Sequence, residues 1–301
     1  MIAIDLGSNS CRFLHVNCES GEKIGEFEAI VKTADNLHVS KKISIEAQER
    51  IINAIEAAKT HLDFSHEPIV AVTTEAMRQA TNSHEVLYEI EKKTAVSFEL
   101  IDGKKEAFYT LKAVKYRLHR LGNSSDSLVL IDIGGGSTEV IFSFKNEVIS
   151  QSFKVGIVTI AQQCNTEQEV RTYLERELDE VKSFIKNSYE NYEKPKLLVA
   201  TAGTPTTISA YLLGMDYQSY DPDKINGYTL TCKGITKAFA ELMTMDEHTR
   251  SFYVGVGREN LIAAGIIIVD VFYQILGFEA GIVIDDGLRE GLARSYCESI
   301  T

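Results

Sequence analysis

The sequence predicts an α/β protein made of two domains with mixed sheets, and three observations lead there. Apolar, strand-like runs alternate with amphipathic helical stretches along the chain. A short pattern, Asp-x-Gly with small polar residues between two apolar runs, occurs twice, with Asp5 and Asp132 lying 127 positions apart. At 301 residues the chain also exceeds the usual single-domain size and has room for two cores.

The pattern is fullest at Leu128-Val129-Leu130-Ile131-Asp132-Ile133-Gly134-Gly135-Gly136-Ser137-Thr138-Glu139-Val140-Ile141-Phe142. An apolar run, three glycines with two hydroxyls, and a second apolar run read as strand, tight turn, strand. Without side chains in the way, such a turn brings backbone N–H groups close to an anion. Asp132 and Glu139 stand at the two mouths of the turn, where they suit a divalent cation held directly or through water. Phosphate with Mg²⁺ is the natural guest. The chain opens on the same pattern, Ile2 to Ser10, with Asp5, Gly7 and Ser10 matching Asp132, Gly134 and Ser137. Two such hairpins facing across an interdomain cleft would grip one polyphosphate from both sides.

The remaining elements follow in order. Cys11 to Val16 reads as the returning strand and Lys23 to Lys32 as a third. Behind a serine cap at Ser44, Ile45, Ile51, Ile52, Ile55, Ala58 and Leu62 recur at helical spacing, and Ile69 to Val72 is the next strand. Arg78 lies just past that strand's carboxyl end, where a guanidinium would clamp phosphate or simply face solvent at a helix start. Phe98 to Asp102 gives a strand and turn, followed by a helix with an apolar stripe at Ala107, Leu111, Val114, Leu118 and Leu121. From Lys104 to Arg120 that helix carries six bases against one acid, Glu106, so it offers a basic patch or a solvated face.

Leu121-Gly122-Asn123-Ser124-Ser125-Asp126 is the best linker, placing one domain at 1–121, joined by the C-terminal helix at about 286–301, and the other at 122–285. In the second half, Glu147 to Phe153 continues the antiparallel strands, and Thr166-x-x-Glu169 is a capping box opening one long helix with a stripe from Val170 to Ile185. Leu197 to Thr201 is a buried strand entering a helix through Gly203 and Thr204, a third candidate phosphate contact or an ordinary capped turn. Ile225 to Leu230 is a turn and short strand. Leu261 to Leu276, broken by Gly265, Asp270 and Gln274, reads as a buried helix rather than a membrane span. Gly281 to Ile284 is the last strand.

Bulk properties narrow the function classes. A formal charge of −12 argues against a general nucleic-acid binder or a membrane-surface binder, so an anionic substrate must meet a local basic patch. The N-terminus opens straight into a strand, without the features of a signal peptide. Five scattered cysteines, Cys11, Cys18, Cys164, Cys232 and Cys297, without a Cys-x-x-Cys pair, fit reduced thiols in a cytoplasmic protein rather than a disulfide framework or zinc site. The oligomeric state stays open, a homodimer included.

Together these residues resemble the actin-like, sugar-kinase and Hsp70 ATPase superfamily, whose domains are ribonuclease H-like. More narrowly, Ile4 to Arg12, Thr73 to Asn82, Gly103 to Ala107, Ile131 to Glu139, Thr201 to Thr207, Ile225 to Leu230 and Ile284 to Gly291 are similar, in family order, to the exopolyphosphatase and guanosine pentaphosphate phosphohydrolase (Ppx/GppA) family. The resemblance implies two actin-like domains and metal-assisted release of the terminal phosphate of inorganic polyphosphate or guanosine pentaphosphate (pppGpp), with Mg²⁺ or another divalent cation. It puts the catalytic glutamate at Glu106 and the acidic pair beside the glycine loop at Asp132 and Glu139, with Ser137 between them; Asp5, which matches Asp132 in the first hairpin, is a further candidate metal ligand from the repeat itself. Phosphate-holding positions fall on Ser8, Asn9, Ser10 and Arg78, beside Gly134, Gly135, Gly136, Ser137 and Thr138 of the central loop and Gly203 and Thr204. Longer members add helical C-terminal domains, one of HD type, that help bind long polyphosphate; these 301 residues match the two core domains. One departure is Thr73-Thr74-Glu75-Ala76 before Arg78, where the family more often has Ala-Thr-Ser-Ala. A kinase or ATPase of the same superfamily, or a non-catalytic sensor of a guanosine alarmone, are the competing readings.

Overall fold

The computed structural model describes residues 1–123, 125 and 127–300. The linker expected at Leu121 to Asp126 therefore lies partly outside the described residues, at Ser124 and Asp126, as does Thr301. The chain divides into two compact units, one of Met1–Ala113 with Gly287–Thr301 and one of Val114–Asp286.

The first unit runs β1 (Ile2–Leu6), β2 (Ser10–Val16), β3 (Lys23–Ile30), α1 (Leu37–Ser40), α2 (Ile45–His61), β4 (Ile69–Thr73), α3 (Glu75–Gln79), α4 (Ser83–Thr94), β5 (Phe98–Leu100) and the start of α5 (Gly103–Arg120). Its sheet has the order β3-β2-β1-β4-β5. β1 is antiparallel to β2 and parallel to β4, because a three-residue connection can only reverse the chain whereas the crossover through α2 restores its direction. The Ser44 hydroxyl accepts from the Ala47 amide, so α2 begins where the serine cap predicts.

The second unit continues through β6 (Leu128–Ile133), β7 (Thr138–Ser143), β8 (Val148–Phe153), α6 (Ile157–Ala161), α7 (Glu167–Glu177), α8 (Asp179–Asn191), β9 (Leu197–Thr201), α9 (Gly203–Leu212), α10 (Pro222–Ile225), β10 (Tyr228–Thr231), α11 (Cys232–Thr244), α12 (Glu247–Val254), α13 (Ile262–Leu276) and β11 (Ala280–Val283). The chain then returns to the first unit with α14 (Leu288–Ile300). The sheet order is β10-β11-β9-β6-β7-β8. Read from β8 to β11, its directions repeat those of the first sheet from β3 to β5: antiparallel, antiparallel, parallel, parallel. The doubled sequence motif is thus the visible part of a doubled sheet, with β10 added at one edge. Among the described residues no helix is long and apolar enough to cross a membrane, and α13 is instead a buried core helix.

Two expectations are corrected. The stripe from Val170 to Ile185 belongs to two helices, because α7 closes at Leu178 and α8 starts anew; the capping box at Thr166 and Glu169 is formed. The cysteines are not all reduced thiols: Cys18 and Cys297 are joined. They are 279 residues apart in sequence, but Leu288, Leu292 and Ala293 of α14 share one apolar cluster with Ala3, Leu14 and Val16, and that packing brings the two thiols together. Cys11, Cys164 and Cys232 are unbonded, and Cys11 lies in the core, where burial, helped by Asp5 and Glu28, pushes its thiol well up.

A crosslink closing so long a loop restricts the unfolded chain and contributes about 2–4 kcal/mol. A dithiol reductant is therefore expected to lower the melting temperature of the wild-type chain and to leave Cys297→Ser unmoved, as thermal unfolding with and without reductant would show.

Candidate functional site

In the second unit the glycine turn is held by bonds that fix which way its peptides face. Gly134 N–H donates to the Ser137 carbonyl (2.9 Å), while the carbonyls of Gly134 and Gly135 accept from Ile157 (3.1 Å) and Val158 (2.8 Å) at the start of α6. In a planar trans peptide the N–H lies opposite the C=O, and the described chain has no cis peptide bonds. The amides of Gly135 and Gly136 therefore point away from α6, as an anion cradle requires. Gly134, Gly135 and Gly136 are not among the glycines with positive φ, so they serve close approach rather than a left-handed turn. Gly156 packs against the loop so tightly that a Cβ there would lie 2.3 Å from the Gly136 carbonyl carbon.

Asp132 and Glu139 are direct cross-strand partners on β6 and β7. Such pairs put their Cβ atoms about 4.5–5.5 Å apart on one face. Glu139 is buried (1% exposed), and its Oε1 accepts from the hydroxyls of Ser137 (2.9 Å) and Ser152 (2.6 Å). Thr138 is turned inward, its hydroxyl donating to the Val155 carbonyl (2.5 Å), so only its backbone remains for a ligand. Ser152 was not legible as a site residue; its alternation along β8 and its register opposite Glu139 are the signals that locate it.

The first unit repeats the turn: Gly7 N–H donates to the Ser10 carbonyl at the same 2.9 Å. The Ser8 carbonyl accepts from Ala34 and the Asn9 carbonyl from Val31 and Lys32, each at 2.9 Å, so the Asn9 amide points away from that segment. Asp5 pairs across the ladder with Arg12, and Arg12 with Glu28. The position matching Glu139 is therefore basic in the first hairpin, and only the second presents two carboxylates side by side.

Arg78 and Glu106, 28 positions apart, are brought together by α3 and α5. Arg78 Nη1 donates to Glu106 Oε2 (3.0 Å) and to the Ile101 carbonyl (2.8 Å), and Nε donates to Glu75 Oε2 (2.9 Å). Glu75 (6% exposed) and Glu106 (8%) are both buried. Burial opposes the charge of Arg78, but the carboxylates of Glu106 and Glu75 hold its pKa above the ordinary value. The guanidinium is thus engaged by protein acceptors rather than presented as an open phosphate fork. The basic face of α5 is also smaller than its count of bases suggests, since Lys112 meets Glu298 (2.7 Å), Lys105 meets Glu99 and Arg117 meets Asp286.

Gly203 and Thr204 open α9 behind Ala202, whose φ of 73° and ψ of −177° occupy a region natural only to glycine. Thr204 is buried against α13, its hydroxyl where a Cβ on Gly265 would lie, so the side chain serves helix packing and the helix-start amides are what remain for an anion. Ala202→Gly is expected to relieve this strain and, after the entropy cost of glycine, stabilise the chain by about 1 kcal/mol, readable by denaturant unfolding.

Among the described residues no group of three or more His, Cys, Asp or Glu side chains is gathered into a metal cage. The carboxylate pair at Asp132 and Glu139 nonetheless fits Mg²⁺, which binds through one or two carboxylates and completes its shell with water and substrate phosphate.

The repeated sheet with a glycine hairpin at its first two strands in each unit defines a duplicated α/β protein. The chain belongs to the Ppx/GppA phosphatase family, whose model matches residues 19–299. It is 25% identical over 299 residues to a bifunctional 3-dehydroquinate synthase/phosphatase of Fusobacterium nucleatum, covering 94% of this chain but only 44% of that protein's length. It is 28% identical to exopolyphosphatase 1 of Mycobacterium tuberculosis, covering 96% of this chain and 86% of that one. A crystal structure of the Aquifex aeolicus Ppx/GppA family member superposes with a TM-score of 0.75 at 28% identity, covering 100% of this chain and 98% of the other.

Proposed function

We propose that the chain is a phosphoanhydride hydrolase that releases the terminal phosphate of inorganic polyphosphate, of guanosine pentaphosphate, or of both. The observation that carries this reading is the Gly134 to Ser137 turn, with the Gly135 and Gly136 amides directed away from α6 and a carboxylate pair, Asp132 and Glu139, at its mouth.

Phosphoryl transfer needs chiefly positioning and charge neutralisation. The amides of Gly135 and Gly136, with the backbone amide of Ser137, bind the terminal phosphoryl group, and the Ser8, Asn9, Ser10 turn and the Gly203, Thr204 amides bind further phosphate oxygens. Glu106 takes the proton of the attacking water as its oxygen bonds to the terminal phosphorus. The bridging P–O bond breaks, and the shortened chain leaves with the electron pair. Asp132 and Glu139 would hold Mg²⁺, which when bound neutralises phosphoryl oxygens as a Lewis acid. Ser137 and Ser152 fix the orientation of Glu139 through its Oε1. A cytoplasmic site of action belongs to this reading, and the Cys18–Cys297 bond is the feature a reducing compartment would oppose.

Phosphate release measured side by side on short polyphosphate, long polyphosphate, guanosine pentaphosphate and ATP, with and without Mg²⁺, tests the proposal. Metal-dependent release from polyphosphate or the pentaphosphate is the expected result. ATP turnover that needs a small acceptor would mean a kinase, and binding of the pentaphosphate without release would mean a sensor.

A further inference from the structure

Two buried carboxylates share one arginine in the first unit, and the sharing is asymmetric. Glu75 Oε2 takes one edge of the Arg78 guanidinium, with Nε at 2.9 Å and Nη2 at 2.8 Å. The Nη2 contact is close but poorly angled, so it acts through charge rather than as a directed hydrogen bond. Glu75 is itself fixed from behind, since Gln79 Nε2 donates to its Oε1 (2.7 Å). The opposite corner of the guanidinium, Nη1, is left to bridge the Ile101 carbonyl and Glu106. A planar guanidinium turns as one body, so whatever holds the Nε edge decides where Nη1 points.

We infer that Glu75 is a positioning residue for Glu106: it anchors one edge of Arg78 so that Nη1 orients a single oxygen of the Glu106 carboxylate. The inference rests on Glu106 being the base in the reaction proposed above. The geometry gives Glu75 two effects. It stops Arg78 from rotating into a two-bond fork on Glu106, which would occupy both carboxylate oxygens. It also takes a share of the guanidinium charge, leaving Glu106 a stronger proton acceptor than a carboxylate with an arginine to itself. The reaction has no contact with Glu75, so the effect belongs to turnover and not to substrate affinity.

The test is a double-mutant cycle on the full chain, using phosphate release from the preferred substrate in steady state and single turnover. Glu75→Ala is expected to lower kcat about 10- to 100-fold, the loss typical of a misaimed group, with KM nearly unchanged. Glu75→Gln, which keeps the volume and an acceptor but not the charge, is expected to lose less, and it carries the same test should the alanine variant fail to fold. In a Glu106→Gln background either substitution is expected to cost nothing further, because its route to the reaction is already gone. The same fold loss in both backgrounds would overturn the inference, since a general structural role multiplies through. A raised KM with kcat intact would also overturn it, showing that Arg78 meets phosphate. Wild-type turnover in Glu106→Gln alone would instead remove the proposed base, and with it the premise.

Discussion

Glu106→Gln is expected to fold, to bind substrate, and to lose turnover by about 10²- to 10⁴-fold, the range for removing a well-placed base. Glutamine has the size of glutamate and can still accept from Arg78 Nη1 through its amide oxygen, so the bond seen at 3.0 Å has a substitute. The charge balance also favours survival of the fold. Two carboxylates face one guanidinium, and the variant leaves Arg78 with Glu75, a one-to-one pair. Stability is therefore expected to change little while the chemical step collapses. Comparison of kcat and KM with the melting temperature checks both halves.

Gly156→Ala is expected to damage the phosphate loop from behind. Gly156 has φ −124° and ψ 148°, an extended backbone that alanine adopts without strain, so conformation is not the issue. Space is: the new Cβ would sit 2.3 Å from the Gly136 carbonyl carbon, 2.4 Å from the Gly135 oxygen and 2.5 Å from the Gly136 Cα. All three are backbone atoms and cannot swing aside as a side chain would. The loop must shift by roughly 1 Å, which at a reacting centre costs about 10²-fold in rate. Overpacking adds about 1–3 kcal/mol of destabilisation. A variant with wild-type kcat/KM would mean that the loop does not hold the reacting phosphate.

Much of the architecture was legible because it lies in local patterns. The two Asp-x-Gly turns repeat in sequence, and they prove to be the first hairpins of two sheets with the same strand directions. Ser44 and the Thr166-Glu169 box mark helix starts by side-chain chemistry that acts over three residues, a range a sequence reader can see. The break at Leu178 was invisible because the apolar stripe keeps its period across it. What escaped notice depends on contacts distant in sequence. The Cys18–Cys297 bond follows from α14 returning to β1 and β2, and no spacing rule spans 279 residues.

The site was legible as residue types but not as partnerships. Arg78 and Glu106 were each singled out for a separate task, phosphate clamp and base, yet the fold joins them to each other and to Glu75. Glu75 carried a signal only as a departure from the pattern before Arg78 in the resembling family. Thr138 and Thr204 had the right chemistry for phosphate, but their hydroxyls are spent on packing, and alternation along a strand does not reveal which hydroxyl turns inward.

Hydrolysis of polyphosphate in ¹⁸O-enriched water with Mg²⁺, with mass analysis of the products, tests the central claim most directly. Water attack on the terminal phosphorus predicts one ¹⁸O in each newly released monophosphate and none in the shortened chain. Label in the remaining chain, or phosphate appearing only on an added acceptor, would contradict it.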